Sequence, residues 1–499
     1  MQLSKSLYTR GLQCVKSLWI KKYNKDVLTL PDAATQAKFE IGNQVGGLAC
    51  KLFPDGKEVP YEGTSFGEKI SLTRWWIEDG VPNIYEATFN YEGILVMVDI
   101  LHINNDDSVE IYEVKSSTEV KDVHLHDASI QYYVLNGLGY NVKKTNIVHI
   151  NNKYIRGDEL EIEKLFSIVD VSNDVKDLQV NIPFNLNYFK KFLDDKDSEP
   201  EIDIGIQCSN PYDCDAMAYC WKHIPEYSVF DIANLRIDKK FELYEQGIVN
   251  ISDIKDISTF SEKQQVQIKS EITQKDIINS EAIKEFLDEL SYPIYHLDFE
   301  TFQQAIPEWK GVNPYMQIPF QYSLHIEEKD GSLQHKEFLA EAGKDPRYEL
   351  AKRLIEDIPS NVTVLTYNMG FEKGVIKKLA DTYSEFSSKL MAIYDNIQDL
   401  MIPFKNKDYY VPAMRGSHSL KYVLPALVPA MEHAYSELEG VQNGGEAMLT
   451  YTRLSEMEDK EEVTRLRKSL LEYCKLDTLA MVKILQKLKH DIEKDIINR

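Results

Sequence analysis

The chain has 499 residues, 43% hydrophobic and 11% aromatic, which leaves room for about three ordinary domains and excludes the disordered class. Its net charge of −23 excludes a broadly basic nucleic-acid-binding surface, so any such track is a local groove or the substrate is held by a partner. Met1–Arg10 lacks a long apolar core, no apolar run approaches the roughly 18 residues of a membrane span, and six cysteines do not suggest a disulfide scaffold; the expectation is a cytoplasmic protein without membrane association.

Residues 1–40 carry Leu7, Leu12, Val15, Leu18 and Trp19 at roughly helical spacing, which predicts a helical start. Between Ile84 and Val114 the pattern turns to strands. Ile94–Ile100 is a β-rich run, Val109–Lys115 alternates, and Asn104–Asp107 marks a turn between them. A helix over 122–138 and a strand near Asn146–Ile150 follow. Residues 229–289 are charged and helical in pattern, with Gly247 as a stop, and read as a connector. A helix-hairpin-helix-like role on a nucleic-acid backbone competes there with plain packing. A second unit begins at Tyr292. Ile294–Glu300, Phe320–Ile326, Gln334–Ala340 and Val362–Tyr367 read as strands, with a turn at Lys329–Gly331, and a last helix runs from about Glu461. Strands first and helices interleaved afterwards predict a mixed α/β unit.

Asp298 and Glu300 lie two apart on a strand, so both side chains leave one face. Paired carboxylates there are costly without a cation, and this spacing suits Mg²⁺ or Mn²⁺; a solvated acidic strand is the plainer reading. Glu372 adds a third acid where a loop leads from a short apolar strand into a helix. Tyr473 and Asp477, four apart, stack on one helix face, where Asp477 can complete a metal site and Tyr473 can orient an attacking water. These residues resemble the tyrosine variety of the DEDD exonuclease superfamily, on an RNase H-like fold. The Asp-x-Glu motif matches Asp298 and Glu300. The second motif matches Asn368 and Phe371, with Glu372 where Asp is usual, and the Tyr-x-x-x-Asp motif matches Tyr473 and Asp477. Asp399 and Leu400 resemble an auxiliary acid-Leu step between the second and third motifs. The resemblance implies 3′–5′ exonucleolytic hydrolysis assisted by two metal ions, with Asp298, Glu300, Glu372 and Asp477 as ligands and Tyr473 as a catalytic residue.

Asp99 lies near the end of one β run, and Glu113 and Lys115 share a face of the next. A restriction-type nuclease needs such a set: carboxylates for a metal, and a lysine that lowers the cost of making hydroxide and neutralises transition-state charge. A Glu–Lys salt bridge is the plainer reading. Glu86 can supply another acid. The arrangement resembles the RecB-like branch of the PD-(D/E)XK nucleases. It implies metal binding by Asp99, Glu113 and Glu86 and catalytic roles for Lys115 and for Gln131 on the following helix. The family tyrosine stays unassigned, although Tyr132 and Tyr133 follow Gln131. Cys14 in the N-terminal helix and Cys208, Cys214 and Cys220 after the nuclease core suit zinc or an iron–sulfur cluster on bare chemistry. One remote cysteine plus a trio resembles the RecB-like nucleases with a cluster-stapled fold, which favours a [4Fe–4S] cluster over Zn²⁺, acting as a clasp for the module. Cys50 and Cys474 stand outside this set; Cys474, inside the exonuclease helix, reads as packing.

The sequence therefore predicts an α/β chain with residues 1–228 as a restriction-endonuclease-like, RecB-like module with a cysteine cluster, 229–289 as a helical connector and 290–499 as an RNase H-like exonuclease module. The resemblance implies a two-module metal-dependent nuclease of bacterial type. Its partner is nucleic acid, DNA ahead of RNA, with a helicase or another repair or defence protein as a further partner. Two alternatives stay open: an RNA-processing exonuclease, which a contact to the 2′-hydroxyl would decide, and a nucleic-acid-binding scaffold with one or both sites inactive.

Overall fold

The computed structural model describes residues 2–498, with side chains described as far as Lys494. The protein is mixed α/β and divides into two compact units. Unit 1 comprises Met1–His223 together with Gln304–Met316; unit 2 comprises Ile224–Gln303 and Gln317–Arg499. The stretch 229–289, expected as a connector, belongs to unit 2, because its helices bury Ile283 and Phe286 in that unit's core and its Ile277–Ile278 pairs with Tyr409–Tyr410. Residues 304–316 belong to unit 1 for a similar reason. Ala305 is buried in a unit 1 core cluster beside Val148 and Ile150, and Arg156 donates to the Pro307 carbonyl at 2.7 Å.

Unit 1 opens with α1 (Lys5–Gln13), capped by the Ser4 hydroxyl, which accepts the Leu7 N–H at 3.3 Å. The helical run expected through residue 40 is broken at Cys14, whose extended backbone separates α1 from α2 (Val15–Tyr23). The break lets Tyr8 and then Val15, Leu18 and Ile20 turn into one core. The sheet contains β1 (Asn83–Tyr91), β2 (Ile94–Ile103), β3 (Val109–Lys115), β4 (Val142–Ile150) and β5 (Phe166–Asp170), paired in that order. Glu92 and Gly93 both have positive φ, the requirement of the tight turn that joins β1 to β2. A crossover through α3 (Asp122–Gly137) brings β4 parallel to β3; the other neighbours among the five are antiparallel.

Unit 2 holds a five-stranded sheet of β6 (Ile294–Phe302), β7 (Ile318–Glu327), β8 (Leu333–Leu339), β9 (Thr363–Thr366) and β10 (Ile397–Asp399), in the order β8-β7-β6-β9-β10. It is antiparallel from β8 to β6 and parallel from β6 to β10. α4 (Met369–Thr382) leaves β9, α5 (Gly444–Arg453) follows later, and α6 (Lys460–Asn498) packs on β6 and β7. Ala480, Met481, Ile484, Leu485, Leu488 and Ile492 recur every three or four residues along α6 and are all buried. Each large apolar side chain among them contributes about 1.5–3 kcal/mol on burial. Among the described residues no helix is long and apolar enough to cross a membrane.

Candidate metal centres

Asp298 and Glu300 leave one face of β6, beside Ser323 and Gln321 of β7 in the cross-strand register. α6 covers that face. Gln321 donates to the Leu470 carbonyl at 2.8 Å, and the Ser323 and Thr478 hydroxyls lie 2.7 Å apart, so the helix is pinned at the level of Tyr473 and Asp477. Glu372 comes from the first turn of α4, after Asn368 in the left-handed region at φ +81°. Asp399 braces this turn: its Oδ1 accepts the N–H groups of Asn368 (2.9 Å) and Met401 (3.0 Å). That engagement ties the acid-Leu step to the turn that carries Glu372.

The acids perturb one another. Burial and then Asp477 raise Asp298 well above the usual carboxylate range; burial, Asp298 and Asp477 do the same to Glu300. Burial and Asp298 raise Glu372. Asp477 is pushed up to about 6 by burial, against the opposing effects of the Tyr435 hydroxyl and Lys421. Tyr435 donates to Asp477 Oδ1 at 2.6 Å, and Tyr473 also hydrogen-bonds that carboxylate. Lys421 Nζ lies 5.0 Å and 5.3 Å from the Tyr435 and Tyr473 ring centroids. Neither Tyr435 nor Lys421 belongs to a motif, and nothing in their spacing signals the site. Glu372 Oε2 is buried with no hydrogen-bond partner. Cys474, expected as packing, is fully buried, and its thiol also lies 3.6 Å from Asp298 Oδ2.

In unit 1 the register sets Tyr85 against Ile100 and Ala87 against Val98, so Glu86 falls opposite Asp99. Continuing the β2–β3 register beyond Ile100 and Tyr112 brings Asp99 beside Glu113. The three acids thus form a row across adjacent strands. Glu86 has φ +56°, a costly conformation for a non-glycine residue. Lys115 Nζ lies 2.8 Å from Glu113 Oε1 and 2.5 Å from Asp127 Oδ2, and Gln131 donates to Glu113 Oε2. Two of these contacts extend the expected set: Asp127, and Lys5 of α1, whose Nζ lies 2.6 Å from Glu113 Oε1. Burial works to raise Glu113, but Lys115 and Lys5 overcome it and hold the carboxylate well below its ordinary value. Asp99 is pushed up to about 7 by burial and then by Glu113. Tyr132 and Tyr133 pack against the core, whereas Tyr212, far along the chain, is close enough to Lys115 and Asp127 to feel both charges. Tyr212 also lines a cavity of about 590 Å³ along Ser6, Thr9, Arg10 and Gln13 of α1.

Cys14, Cys208, Cys214 and Cys220 all line one small cavity, and Cys14 and Cys220 each feel the charge of other members of the set. Burial pushes the Cys220 thiol up to about 11. The surrounding chain is tied down: Gln13 donates to the carbonyls of Gln207 and Tyr212, and Arg10 grips Asp215 with two bonds of 2.7 and 2.8 Å.

Residues 295–419 match a family described as Domain of unknown function (DUF2779). The match covers Asp298, Glu300 and Glu372 and ends before Tyr473 and Asp477. No curated protein matches the chain.

Proposed function

We propose that the protein is a metal-dependent nuclease whose unit 2 site cleaves phosphodiester bonds from a 3′ end. The observation that carries this reading is the gathering of four carboxylates, half-buried Asp298 with buried Glu300, Glu372 and Asp477, each with its pKa raised. Buried like charges require protons or cations. Glu372 Oε2, buried and without a partner, suits a cation. Mg²⁺ or Mn²⁺ held by these four would supply water activation and charge neutralisation. The chain's own groups do the rest. Tyr473 orients the water, Tyr435 fixes Asp477, and Lys421 offers positive charge toward the phosphate. The strand order, antiparallel to β6 and parallel beyond it, supports an RNase H-like architecture for unit 2.

Unit 1 supports a second, PD-(D/E)XK-type site on a restriction-endonuclease-like sheet. There Asp99, Glu113 and Glu86 would hold the metal, Lys115 would neutralise charge, and Gln131 positions Glu113. Its RecB-like character favours DNA ends or single strands over RNA. The four cysteines suit a clasp. A tetrahedral zinc site, with Zn–S near 2.3 Å, brings sulfurs within about 4 Å of one another. Among the described residues, the group whose ligand atoms lie within 4.8 Å is Asp298, Glu300 and Cys474, not three of these cysteines. The resemblance to cluster-stapled RecB-like nucleases favours a [4Fe–4S] cluster over a single ion.

One observation favours a second reading for unit 1. Lys5, Lys115 and Gln131 together engage both oxygens of Glu113, so the acids there are partly neutralised without a metal. This suits a nucleic-acid-binding site that does not cut. End-labelled single-stranded DNA and RNA with Mn²⁺ separate the possibilities. Asp298→Ala removes stepwise 3′ digestion, and Lys115→Ala removes any cleavage that survives it. Unchanged digestion after Asp298→Ala ends the unit 2 assignment.

A further inference from the structure

Two features of the acidic cleft in unit 2 are not needed for magnesium-supported hydrolysis. One is the Cys474 thiol. The other is the distance from that thiol to Asp298. Cys474 is fully buried on the face of α6 that meets β6, one turn before Thr478. Its Sγ lies 3.6 Å from Asp298 Oδ2, and the ligand atoms of Asp298, Glu300 and Cys474 all fall within 4.8 Å of one another. An ion held tetrahedrally, ~2.3 Å from a sulfur and ~2.1 Å from a carboxylate oxygen, sets those two atoms about 3.6 Å apart. The side chains already have that separation.

Octahedral Mg²⁺ takes oxygen ligands and gains little from sulfur, whereas Zn²⁺, Co²⁺ and Cd²⁺ bind thiolate strongly. A fourth donor comes from beyond this trio. Glu372 Oε2 is buried, has no hydrogen-bond partner, and belongs to a carboxylate that Asp298 perturbs directly. Ordinary packing does not need this arrangement. A buried Cys commonly faces apolar neighbours, but here the thiol is turned to a carboxylate.

We propose that Cys474, Asp298 and Glu300, with Glu372 as the fourth donor, form a thiophilic metal site inside the acidic cleft that takes zinc-class ions. Ligation displaces the thiol proton to solvent. Zinc bound in this way draws on three of the four carboxylates that Mg²⁺ or Mn²⁺ would use. The consequence, which rests on the nuclease reading, is that zinc switches the unit 2 site off.

The binding claim is tested on the full-length protein, with its four-cysteine centre left as purified, by titration with Co²⁺. The wild type takes up one more Co²⁺ with a sulfur-to-cobalt charge-transfer band than Cys474→Ser does. Coincident spectra overturn the proposal, whether or not the protein is a nuclease. Circular dichroism checks that Cys474→Ser is folded. If it is not, a zinc-edge anomalous map of the wild type decides: a peak bonded to Cys474 Sγ supports the site, and a peak on the carboxylates alone overturns it. The regulatory claim uses zinc inhibition of each variant's own Mn²⁺-supported rate. Outer-shell partners alone are worth about 10–100-fold in metal affinity, so losing a ligand raises the half-inhibiting zinc concentration by about tenfold or more. Equal zinc sensitivity overturns the switch.

Discussion

Lys5 Nζ lies 2.6 Å from Glu113 Oε1 and so joins the first helix to a central strand across 108 residues of chain. Glu113 is almost fully buried, with Lys115 and Gln131 as its other side-chain partners. Removing one partner of a buried pair costs about 3–5 kcal/mol when nothing replaces it. Lys115 remains, so Lys5→Ala is expected to lower unfolding stability by about 2–3 kcal/mol. Urea denaturation measures this. Lys5→Met, which keeps the aliphatic stem, separates lost charge from lost packing.

Tyr435 is the group whose hydrogen bond pulls the Asp477 pKa down most. A hydrogen bond to a charged group is worth about 1.5–3 kcal/mol, or roughly one to two pKa units. Tyr435→Phe is therefore expected to raise the pH at which Mn²⁺ half-saturates the unit 2 site by about one unit. Mn²⁺ binding followed by electron paramagnetic resonance across pH reads the shift. An unmoved midpoint would show that Tyr435 does not tune the ligand.

Stability without metal follows from the raised acids. Burial pushes Asp477 up to about 6 and Asp99 up to about 7 in the folded protein, against 3.8 for an ordinary aspartate. The folded state holds the proton longer than the unfolded chain, so the contribution of these groups is complete below their unfolded value and disappears as pH rises through the folded one. In EDTA, the melting temperature should fall between about pH 4 and pH 7, and the stabilisation gained from added Mn²⁺ should grow over the same window. In Asp477→Asn, part of this pH dependence disappears.

The Gln304–Met316 segment completes unit 1. Ala305 is buried in its core, and Tyr315 donates to the Ser116 carbonyl beside Lys115. A fragment of residues 1–228 is expected to be less stable than the same fragment carrying 304–316 on a flexible linker. Large-to-small losses in a core cost about 2–5 kcal/mol, and removing the whole segment should cost at least that. Differential scanning fluorimetry of the two fragments gives the comparison.

A metal group held by the four cysteines, as proposed, would brace α1, because Cys14 directly follows it and Gln13 ties it to the cysteine loop. Cys220→Ser is expected to lower the first melting transition by about 10 °C, given about 2–4 °C per kcal/mol for a unit of this size. Iron and zinc analysis of wild type and variant, with the visible spectrum of anaerobically purified protein, reports what the centre held.

The mixed α/β character and the candidate acids were legible in the chain because two and four residues are the repeats of a strand and a helix. Asp298 with Glu300, Glu113 with Lys115, and Tyr473 with Asp477 all follow from those repeats. Local periodicity carries no information about which distant segments meet. Only the tertiary structure decided that Cys474 faces Asp298 across 176 residues, that Lys5 reaches Glu113, that Tyr435 holds Asp477, and that residues 304–316 belong to unit 1. The reason is burial. Sheet register and the packing of α6 bring these groups together, and in a low-dielectric interior each charge must then find a partner, a proton or a metal ion.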